Sequence, residues 1–474
     1  MDISRCVQAI RPHPVSLWRD CCGPTGVMGI CPNIEVDVRF PNTVSSLRSI
    51  RWLTIYTGQL YVQEGPRIVR TLHLKSALIS CLLIICLITS GMYYVQTREN
   101  QAFYHMVPQL FAQKNQGHAF QLAAFQHPDV LPLYGSSELT IALWYQKAYW
   151  ASKFFEAAPT GFRVSPIGKP QAASLTMLLK LAAMGSELRG KKVVISLSPS
   201  WFFDYAMLPP SDYAGNFSRL QADELVFDTN LSLELKRSIA QRMLDYPATL
   251  KDDRLLRFAL TQLSNRSPTG RLLYNAILPL GKLETLVLRL QDHWEMLQYI
   301  KKLQHPDQAA PSKPQSIDWP KIERQAEEHY RNHNKNNPFG FDDSLWHDWV
   351  KDLAARTRNS RSDTEFYQGL RNAKEWIDLD LLLRTLQELG AHPLVLSIPL
   401  TGRYYTAEGV SAQARQAYYQ TLRSVVQPYG FPLKDFADHE DDSNFLIDPN
   451  GHLSAKGWAY YDQAIDNFYH GKAP

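Results

Sequence analysis

Short apolar runs and longer helical patterns alternate along most of this chain. Three apolar runs, each followed by turn residues, have the length of buried strands: residues 130–134, 192–197 and 393–398. Apolar residues recur at helical spacing in four stretches between and after these runs: residues 171–188, 376–389, 411–426 and 456–469. Strands that alternate with helices predict a three-layer α/β fold, in which helices cover both faces of a central parallel sheet.

A helical and strand-poor block interrupts this alternation between residues 221 and 372. Its apolar positions fit helices at residues 231–244, 253–263 and 272–303. A Pro-rich stretch, residues 305–320, has the composition of a surface connection. We therefore predict a helical insertion over residues 221–372 that borders or covers the functional site.

Residues 76–95 show a third pattern, which is apolar on every side of a helix. These 20 residues carry no charged side chain, and 20 residues at helical rise span about 30 Å, the thickness of the bilayer hydrocarbon. A buried core helix and a cleaved signal peptide are the alternatives for such a segment. The missing polar stripe argues against the first, and the length of the run without a small-residue cleavage pattern argues against the second. We predict one uncleaved transmembrane helix.

The charges that flank this segment predict its orientation. Arg67, Arg70 and Lys75 precede it, whereas the charges of Arg98 and Glu99 after it cancel. Because positive charge is retained on the cytoplasmic side, the N-terminus is expected in the cytoplasm. We therefore predict a single-pass protein of the cytoplasmic membrane, with residues 1–75 inside and residues 96–474 as the extracytoplasmic domain.

Residues 1–75 contain scattered Pro, Gly and Cys, and little helical periodicity beyond a weak strand-like run at residues 49–62. This composition predicts a mostly disordered extension. A translation start nearer the membrane segment would remove much of residues 1–70.

Charge and cysteine usage exclude several classes of function. The 50 Lys and Arg residues nearly balance 46 Asp and Glu residues, for a formal charge of +4, and no long basic run is present, so nucleic acid is not an expected partner. All six cysteines lie within the first 86 residues. The body of the chain therefore has no thiol nucleophile, disulfide framework or Cys-ligated metal. We expect no metal and no organic cofactor.

Ser137, Asp448 and His452 are the parts of a serine nucleophile system. A serine hydroxyl is a poor nucleophile unless an imidazole takes its proton and a carboxylate holds that imidazole in the right tautomer. Each part also has an ordinary explanation: Ser137 could be the N-cap of a helix that starts at Glu138, and the sequence from Asp448 to Gly451 favours a turn.

The order of these residues strengthens the catalytic interpretation. Ser137 follows the first predicted strand, and residues 198–201 and 401–405 follow the second and third. All three segments are expected at the carboxyl edge of the sheet, where ligands bind in parallel α/β folds. A Ser after the first strand, together with a late loop that carries Asp and His, resembles the SGNH-type hydrolases.

Six stretches, in the same order, resemble the D-alanyl transfer protein DltD family: residues 133–139, 197–202, 216–221, 337–340, 402–405 and 452–458. The resemblance covers the last four-fifths of the chain and includes the membrane helix. It implies an SGNH-like extracytoplasmic domain that takes part in D-alanylation of envelope polymers such as teichoic acids. It also implies a D-alanyl carrier, a membrane-bound acyltransferase and a glycopolymer acceptor as partners.

The resemblance assigns roles residue by residue. Ser137 would be the nucleophile, His452 the general base, and Asp448 the residue that orients His452. The chain departs from the family pattern in one place, because the acid and the His are one residue further apart here than the Asp-x-x-His spacing. Asp441 or Asp442 is therefore an alternative acid.

Further residues are candidates for the oxyanion hole and the substrate pocket. The backbone N–H of Ser137 would be one oxyanion donor, at the start of the following helix. Gly168, in the loop before the helix at 171–188, resembles the family's Gly-containing loop and would give a second donor. Asn216 is a side-chain candidate or a turn residue, and Trp201 and Tyr404 are pocket walls or core aromatics.

The predicted function is serine acyl transfer, with a D-alanyl ester on Ser137. Two alternatives remain open from the sequence. The protein would be an esterase or thioesterase if water replaced the acceptor hydroxyl. It would be a non-catalytic docking factor if its membrane helix served only to hold an acyltransferase.

Overall fold

The computed structural model describes residues 68–107, 117–140, 143–302 and 314–474. The chain divides into two units, Met1–Ile88 and Thr89–Pro474. The predicted disorder of the N-terminal extension and its strand-like run at residues 49–62 lie outside the described residues, except that a helix already begins at Ile68.

A 39-residue helix, Ile68–Met106, contains the whole predicted membrane segment. The candidate span within it, Leu74–Phe103, has a mean hydropathy of 2.2, and none of its most apolar stretch is buried against protein. A core helix would be buried, so the absence of protein around this stretch argues against the core-helix alternative. The helix is a candidate membrane anchor, and its orientation stays a prediction.

Five parallel strands form one sheet in the order β2-β1-β3-β4-β5. The strands are β1 Val130–Gly135, β2 Arg163–Gly168, β3 Lys192–Leu197, β4 His392–Ser397 and β5 Leu433–Lys434. The three strands predicted from apolar runs are β1, β3 and β4, and they occupy the centre of the sheet. Helices on both sides cover it, which confirms the predicted α/β class.

The two strands that sequence analysis missed are the edges of the sheet. β2 pairs only with β1 and has Arg163, Ser165 and Pro166 among its six residues, so it lacks the continuous apolar run of a central strand. A proline is tolerated there because an edge strand has one side free of ladder hydrogen bonds. β5 is two residues long, too short for any periodic signal.

The main core lies between the sheet and helices Ser174–Met184, Glu375–Leu389 and Ala412–Val426. Val193, Ile195 and Val395 point into this core. The residues between them point to the opposite face, where the C-terminal helix Ala455–Tyr469 contacts β4 and buries Trp458 and Ile465.

Between β3 and β4 the described residues form helices and turns but no strand. The helices are Pro210–Asn216, Arg219–Asp223, Leu233–Leu244, Arg254–Ser264, Pro268–Lys302, Trp319–Tyr330, Asp343–Leu345, Lys351–Thr357, Asp363–Asn372 and Glu375–Leu389. The remaining helices are His118–Gln126 and Ala151–Ala157, on either side of β1, and Gly402–Glu408 after β4. The insertion boundaries at residues 221 and 372 stay predictions, and part of the Pro-rich stretch falls outside the described residues.

Candidate active site

Ser137 lies just beyond the carboxyl end of β1, in a single 3₁₀ turn, Ser137–Leu139. The helix expected to begin at Glu138 is therefore wrong: the chain makes one turn and leaves it at Thr140, whose N–H donates to the Ser137 carbonyl at 2.9 Å. Ser136, not Ser137, has the N-cap position, and its side chain makes no capping bond. A three-residue turn has little macrodipole, so the expected help from a helix N-terminus is absent.

Two glycines let the backbone approach this turn closely. Gly168 is the last residue of β2, paired with Gly135, rather than part of a loop as expected. A Cβ on Gly168 would lie 2.8 Å from Leu139 Cδ1 and 3.0 Å from the Gly135 carbonyl oxygen, and a Cβ on Gly135 would overlap the Glu138 carboxylate. The ends of β1 and β2 therefore sit directly beside the Ser137 turn.

Asp448 and His452 stand at the two ends of a closed loop. Two contacts join the two sides of the loop. One is a β-bridge between Leu446 and Leu453, and the other is the Ile447 N–H, which donates to the His452 carbonyl at 2.9 Å. Gly451 turns the chain with a left-handed φ of 86°, a conformation that favours glycine. The extra residue between Asp448 and His452 is thus absorbed by a tight turn.

The fold brings Ser137, His452 and Asp448 into one hydrogen-bonded line. Ser137 Oγ is 2.9 Å from His452 Nε2, and His452 Nδ1 is 2.6 Å from Asp448 Oδ2. The other carboxylate oxygen accepts the N–H of Asn450 at 3.0 Å, which fixes the carboxylate plane. With Nδ1–H donating to Asp448, Nε2 is the acceptor for the Ser137 proton.

The His452 imidazole is nearly buried, and its burial and the neighbouring carboxyl groups together determine its pKa. Burial alone would lower the pKa of His452, but the Asp448 carboxylate, by charge and hydrogen bond, and the Glu138 carboxyl raise it, so the pKa lies above its ordinary value of 6.5. A base of raised pKa takes a proton more readily, as long as the pH keeps it neutral beforehand.

The alternative acids have other partners. Asp442 Oδ2 is 2.7 Å from Lys456 Nζ and 3.3 Å from His439 Nδ1. Asp441 has a largely exposed side chain, 3.9 Å from Arg415 Nη2. Asp448 alone of these three is hydrogen-bonded to His452 among the described contacts.

Glu138 is a site residue that sequence reasoning missed. Its side chain is buried directly behind Ser137, and its Oε1 accepts the Ser136 N–H at 2.9 Å. Burial raises the pKa of Glu138, while the Ser136 N–H opposes that rise. A carboxyl placed here fixes the backbone at Ser136. The sequence feature that indicates Glu138 is the Gly-Ser-Ser-Glu motif, because its last residue places a carboxyl directly after Ser137.

Asn216 is buried at the end of helix Pro210–Asn216, and its amide holds the loop after Gly168. Its Nδ2 donates to the carbonyls of Pro170 and Asp212, both at 3.1 Å. Both amide hydrogens are therefore used, and donation to an oxyanion would require giving up one of these bonds. The predicted oxyanion role of Asn216 stays a prediction.

The two predicted pocket aromatics differ in burial. Trp201 is half-buried in the 3₁₀ turn after β3, and its ring centre lies 5.0 Å from that of Tyr205. Tyr404 is buried in an aromatic cluster with Phe339 and Phe341, and its hydroxyl lies 2.9 Å from Thr357 Oγ1. The packing and the hydroxyl contact of Tyr404 are thus explained by the fold without a ligand. Contact of Trp201 or Tyr404 with substrate stays a prediction.

A bracing loop, residues 330–342, supports the segment that leads into Asp448. The Tyr330 hydroxyl lies 3.1 Å from the Gly340 carbonyl and 3.2 Å from the Leu446 carbonyl. Asn334 Nδ2 donates to the Ser443 carbonyl at 3.1 Å, and the Asp342 N–H donates to the Ile447 carbonyl at 2.9 Å. The stretch at residues 337–340, noted above only as a family-like motif, belongs to this brace.

One group of acidic side chains among the described residues has a spacing suited to a metal ion: Asp223, Asp253 and Glu284. Arg219 forms ion pairs with Asp253 and Glu284, so a guanidinium already neutralises part of this group. The group lies on the inserted helices and includes no residue of the Ser137 site.

The chain is an α/β protein, and its parallel sheet, with a serine after β1 hydrogen-bonded to a late His–Asp pair, is consistent with an SGNH-like fold. A family model described as "DltD protein" matches residues 108–470. The chain belongs to the DltD family, which confirms the resemblance seen in its motifs.

Curated proteins show the same relationship over most of the chain. Protein DltD of Bacillus subtilis (strain 168) is 28% identical over 356 residues, covering 75% of this chain and 86% of that protein. Protein DltD of Staphylococcus aureus (strain NCTC 8325 / PS 47) is 28% identical over 342 residues, covering 72% and 81%. Protein DltD of Lacticaseibacillus rhamnosus is 23% identical over 345 residues, covering 71% and 77%.

Proposed function

We propose that the protein transfers D-alanyl groups to an envelope glycopolymer through an ester on Ser137. Membership in the DltD family supports a role in D-alanylation of teichoic acids in general. The observation that carries the mechanism is the line from Ser137 Oγ to His452 Nε2, at 2.9 Å, and from His452 Nδ1 to Asp448, at 2.6 Å. A hydroxyl, a base and an orienting acid in this order are the requirements for nucleophilic acyl transfer.

The first half of the reaction loads the enzyme. His452 Nε2 takes the Ser137 proton as Oγ attacks the D-alanyl carbonyl of a carrier ester or thioester. The bond from the carbonyl carbon to the carrier then breaks, and the imidazolium returns its proton to the departing oxygen or sulfur. Asp448 stabilises the imidazolium between the two events. The product is D-alanyl-Ser137 and a free carrier.

The second half repeats these steps with an acceptor hydroxyl. His452 takes the proton of a glycopolymer hydroxyl, whose oxygen attacks the ester carbonyl, and Ser137 leaves with the proton that His452 returns. The acceptor therefore gains the D-alanyl ester. Ser137 is partly exposed at the carboxyl edge of the sheet, the edge at which ligands bind in parallel α/β folds.

The oxyanion that forms in each half needs donors at the sheet edge. The Ser137 N–H is the first of its turn and has no partner within the turn. Gly168 lies beside that turn because no Cβ separates them, which supports its backbone N–H as the second donor. One good donor of this kind contributes about 3–4 kcal/mol to transition-state stabilisation.

The test is Ser137→Ala in the full chain. We expect envelope D-alanine esters to fall to background while the protein still accumulates in membranes, since removal of the nucleophile lowers such rates by about 10⁴-fold or more. A fluorophosphonate should label Ser137 in the wild-type chain and still label it in Ser136→Ala, the matched control.

Ester content that is unchanged by Ser137→Ala, or by the Ser137→Ala/His452→Ala double substitution, would contradict catalysis and favour a docking role. Turnover with water that is not increased by a polyol acceptor would favour a hydrolase over a transferase.

A further inference from the structure

The 35-residue helix Pro268–Lys302 has two apolar faces, and the protein covers only one of them. Tyr274, Gly281 and Met296 lie on the covered face. A Cβ on Gly281 would overlap the ring of Phe227, so the helix backbone is in direct contact with the domain there. The helix therefore packs against the domain with this face, and its other face is exposed.

The open face carries large aliphatic and aromatic side chains in a continuous stripe. Leu280, Val287 and Trp294 recur every seven residues and are 55%, 56% and 61% exposed. Leu283, 57% exposed, and Leu290 fall between them on the same side. With Leu272 the stripe runs over 23 residues, or about 33 Å at helical rise. A soluble protein normally places polar residues on such a face, and an apolar stripe of this size marks a contact surface.

The C-terminal part of this helix is joined to the end of the candidate membrane span. His293 Nδ1 lies 2.7 Å from Glu99 Oε2, and Glu99 is four residues before the last residue of the span, Phe103. Phe103 and Met296 belong to one small buried cluster. Trp294, next to this junction, is exposed. One end of the stripe therefore lies beside residues 99–103 at the end of the candidate span, and tryptophan is enriched at membrane–water interfaces.

The charges around the stripe are also those of an interfacial helix. Arg271 and Lys282 flank one side of it and are exposed, with Lys282 Nζ 3.4 Å from Asp228 Oδ1, and Lys301 and Lys302 follow at the end of the helix. Of the acidic residues on this helix, Glu284 is paired with Arg219, Asp292 is buried and accepts the Ala119 N–H at 2.9 Å, and Glu295 is exposed beside Trp294. Basic residues beside an apolar face favour a surface of anionic lipid headgroups.

We propose that this stripe lies in the headgroup–acyl boundary of the bilayer that holds the anchor, as a second membrane contact of the domain. Lipid is the occupant that the junction with the anchor favours, because any surface continuous with the end of a membrane span meets lipid first. The contact holds the domain down on the membrane. It depends on no step of the proposed reaction.

The experiment uses the full chain with its six cysteines replaced by serine and one environment-sensitive fluorophore on a new cysteine. The test positions are Leu283→Cys and Val287→Cys. The matched control is Gln416→Cys, exposed on helix Ala412–Val426, which packs against helix Glu375–Leu389. Each variant is reconstituted into vesicles of phosphatidylglycerol and phosphatidylethanolamine, with or without lipids brominated near the headgroup.

We expect bromine to quench the probe at both stripe positions at least about twofold more than at Gln416, since interfacial helices bury their apolar face about 5–10 Å deep. Equal quenching at stripe and control positions would overturn the proposal. So would a stripe that is quenched only weakly in vesicles but becomes shielded on addition of a membrane-bound acyltransferase, because its occupant would then be a protein.

Discussion

At the scale of single residues, the spacing between Asp448 and His452 shows how a local departure is absorbed. Gly451 adopts a left-handed φ of 86°, and the Asn450 N–H holds the Asp448 carboxylate at 3.0 Å. The tight turn therefore accommodates the additional residue without separating the acid from the imidazole. The sequence assigned this role to Asp448 through the family resemblance and left Asp441 and Asp442 as alternatives.

Asp448→Asn tests the acid directly. In the proposed mechanism neutral His452 is the base, so kcat/KM should fall on the acid side as the pH drops through its pKa, which lies above 6.5. Loss of the Asp448 charge removes a cause that raises this pKa, so the acid limb should move to lower pH, and the maximal rate should fall by about 10³–10⁴-fold.

The measurement is the pH profile of acyl transfer from a D-alanyl thioester. Asp441→Asn is the control, since that side chain is largely exposed and its distance to Arg415 Nη2 is 3.9 Å; it should leave the limb in place. If the acid limb shifted in Asp441→Asn and not in Asp448→Asn, the assignment of Asp448 as the orienting acid would be wrong.

At the scale of elements, the bracing loop connects the inserted helices to the triad. Gly340 has a φ of +77°, and a Cβ there would overlap the backbone of Ser443. Gly340 can therefore pack against the segment before Asp448 only because it has no side chain. The loop's hydrogen bonds to the carbonyls of Leu446 and Ile447 then hold the segment before Asp448 in position.

Gly340→Ala should displace the Asp448 loop as well as strain the backbone. We expect a loss of about 1–3 kcal/mol in the free energy of unfolding, and a fall in acyl transfer of at least about tenfold. Gly430→Ala is a matched control, because Gly430 has a φ of +66° and nothing within 4 Å of its Cβ position. It carries the same backbone strain without the collision.

Thermal unfolding and the rate of Ser137 labelling by a fluorophosphonate measure the two effects separately. If both variants lose stability equally and both keep the wild-type labelling rate, the loop does not position the triad.

At the scale of the whole molecule, the orientation of the candidate anchor decides on which side of the membrane the proposed reaction takes place. The prediction of an N-terminus in the cytoplasm is testable because Cys6, Cys21, Cys22 and Cys31 all precede the candidate span. In right-side-out spheroplasts, a membrane-impermeant maleimide should not modify them in the full chain expressed from Met1. Permeabilisation should expose them.

Lys251→Cys, at an exposed position of the domain, provides the opposite marker and should be labelled in intact spheroplasts. Labelling of the N-terminal cysteines before permeabilisation, with Lys251→Cys protected, would reverse the orientation and place Ser137 in the cytoplasm.

The central part of the fold was readable from the sequence because it rests on short-range patterns. β1, β3 and β4 are apolar runs buried on both faces, and the helices that cover them show clear apolar periodicity. The edge strand β2 was not readable, because its burial comes from β1 on one side and from covering side chains, not from its own composition. The 3₁₀ turn at Ser137 was not readable for a similar reason, because Glu138 and Leu139 pack against Gly135 and Gly168 at the ends of β1 and β2, a contact that short-range patterns do not show.

The sequence by itself determined which parts are present: an apolar span, a parallel sheet, a serine after the first predicted strand and a late Asp–His segment. These follow from the chemistry of neighbouring residues and from the order of elements. What only the tertiary structure decided was which groups meet, namely Asp448 rather than Asp442 at His452, Glu138 behind Ser137, and the bracing loop beside both. Such contacts join residues far apart in the chain, so their geometry depends on how whole elements pack.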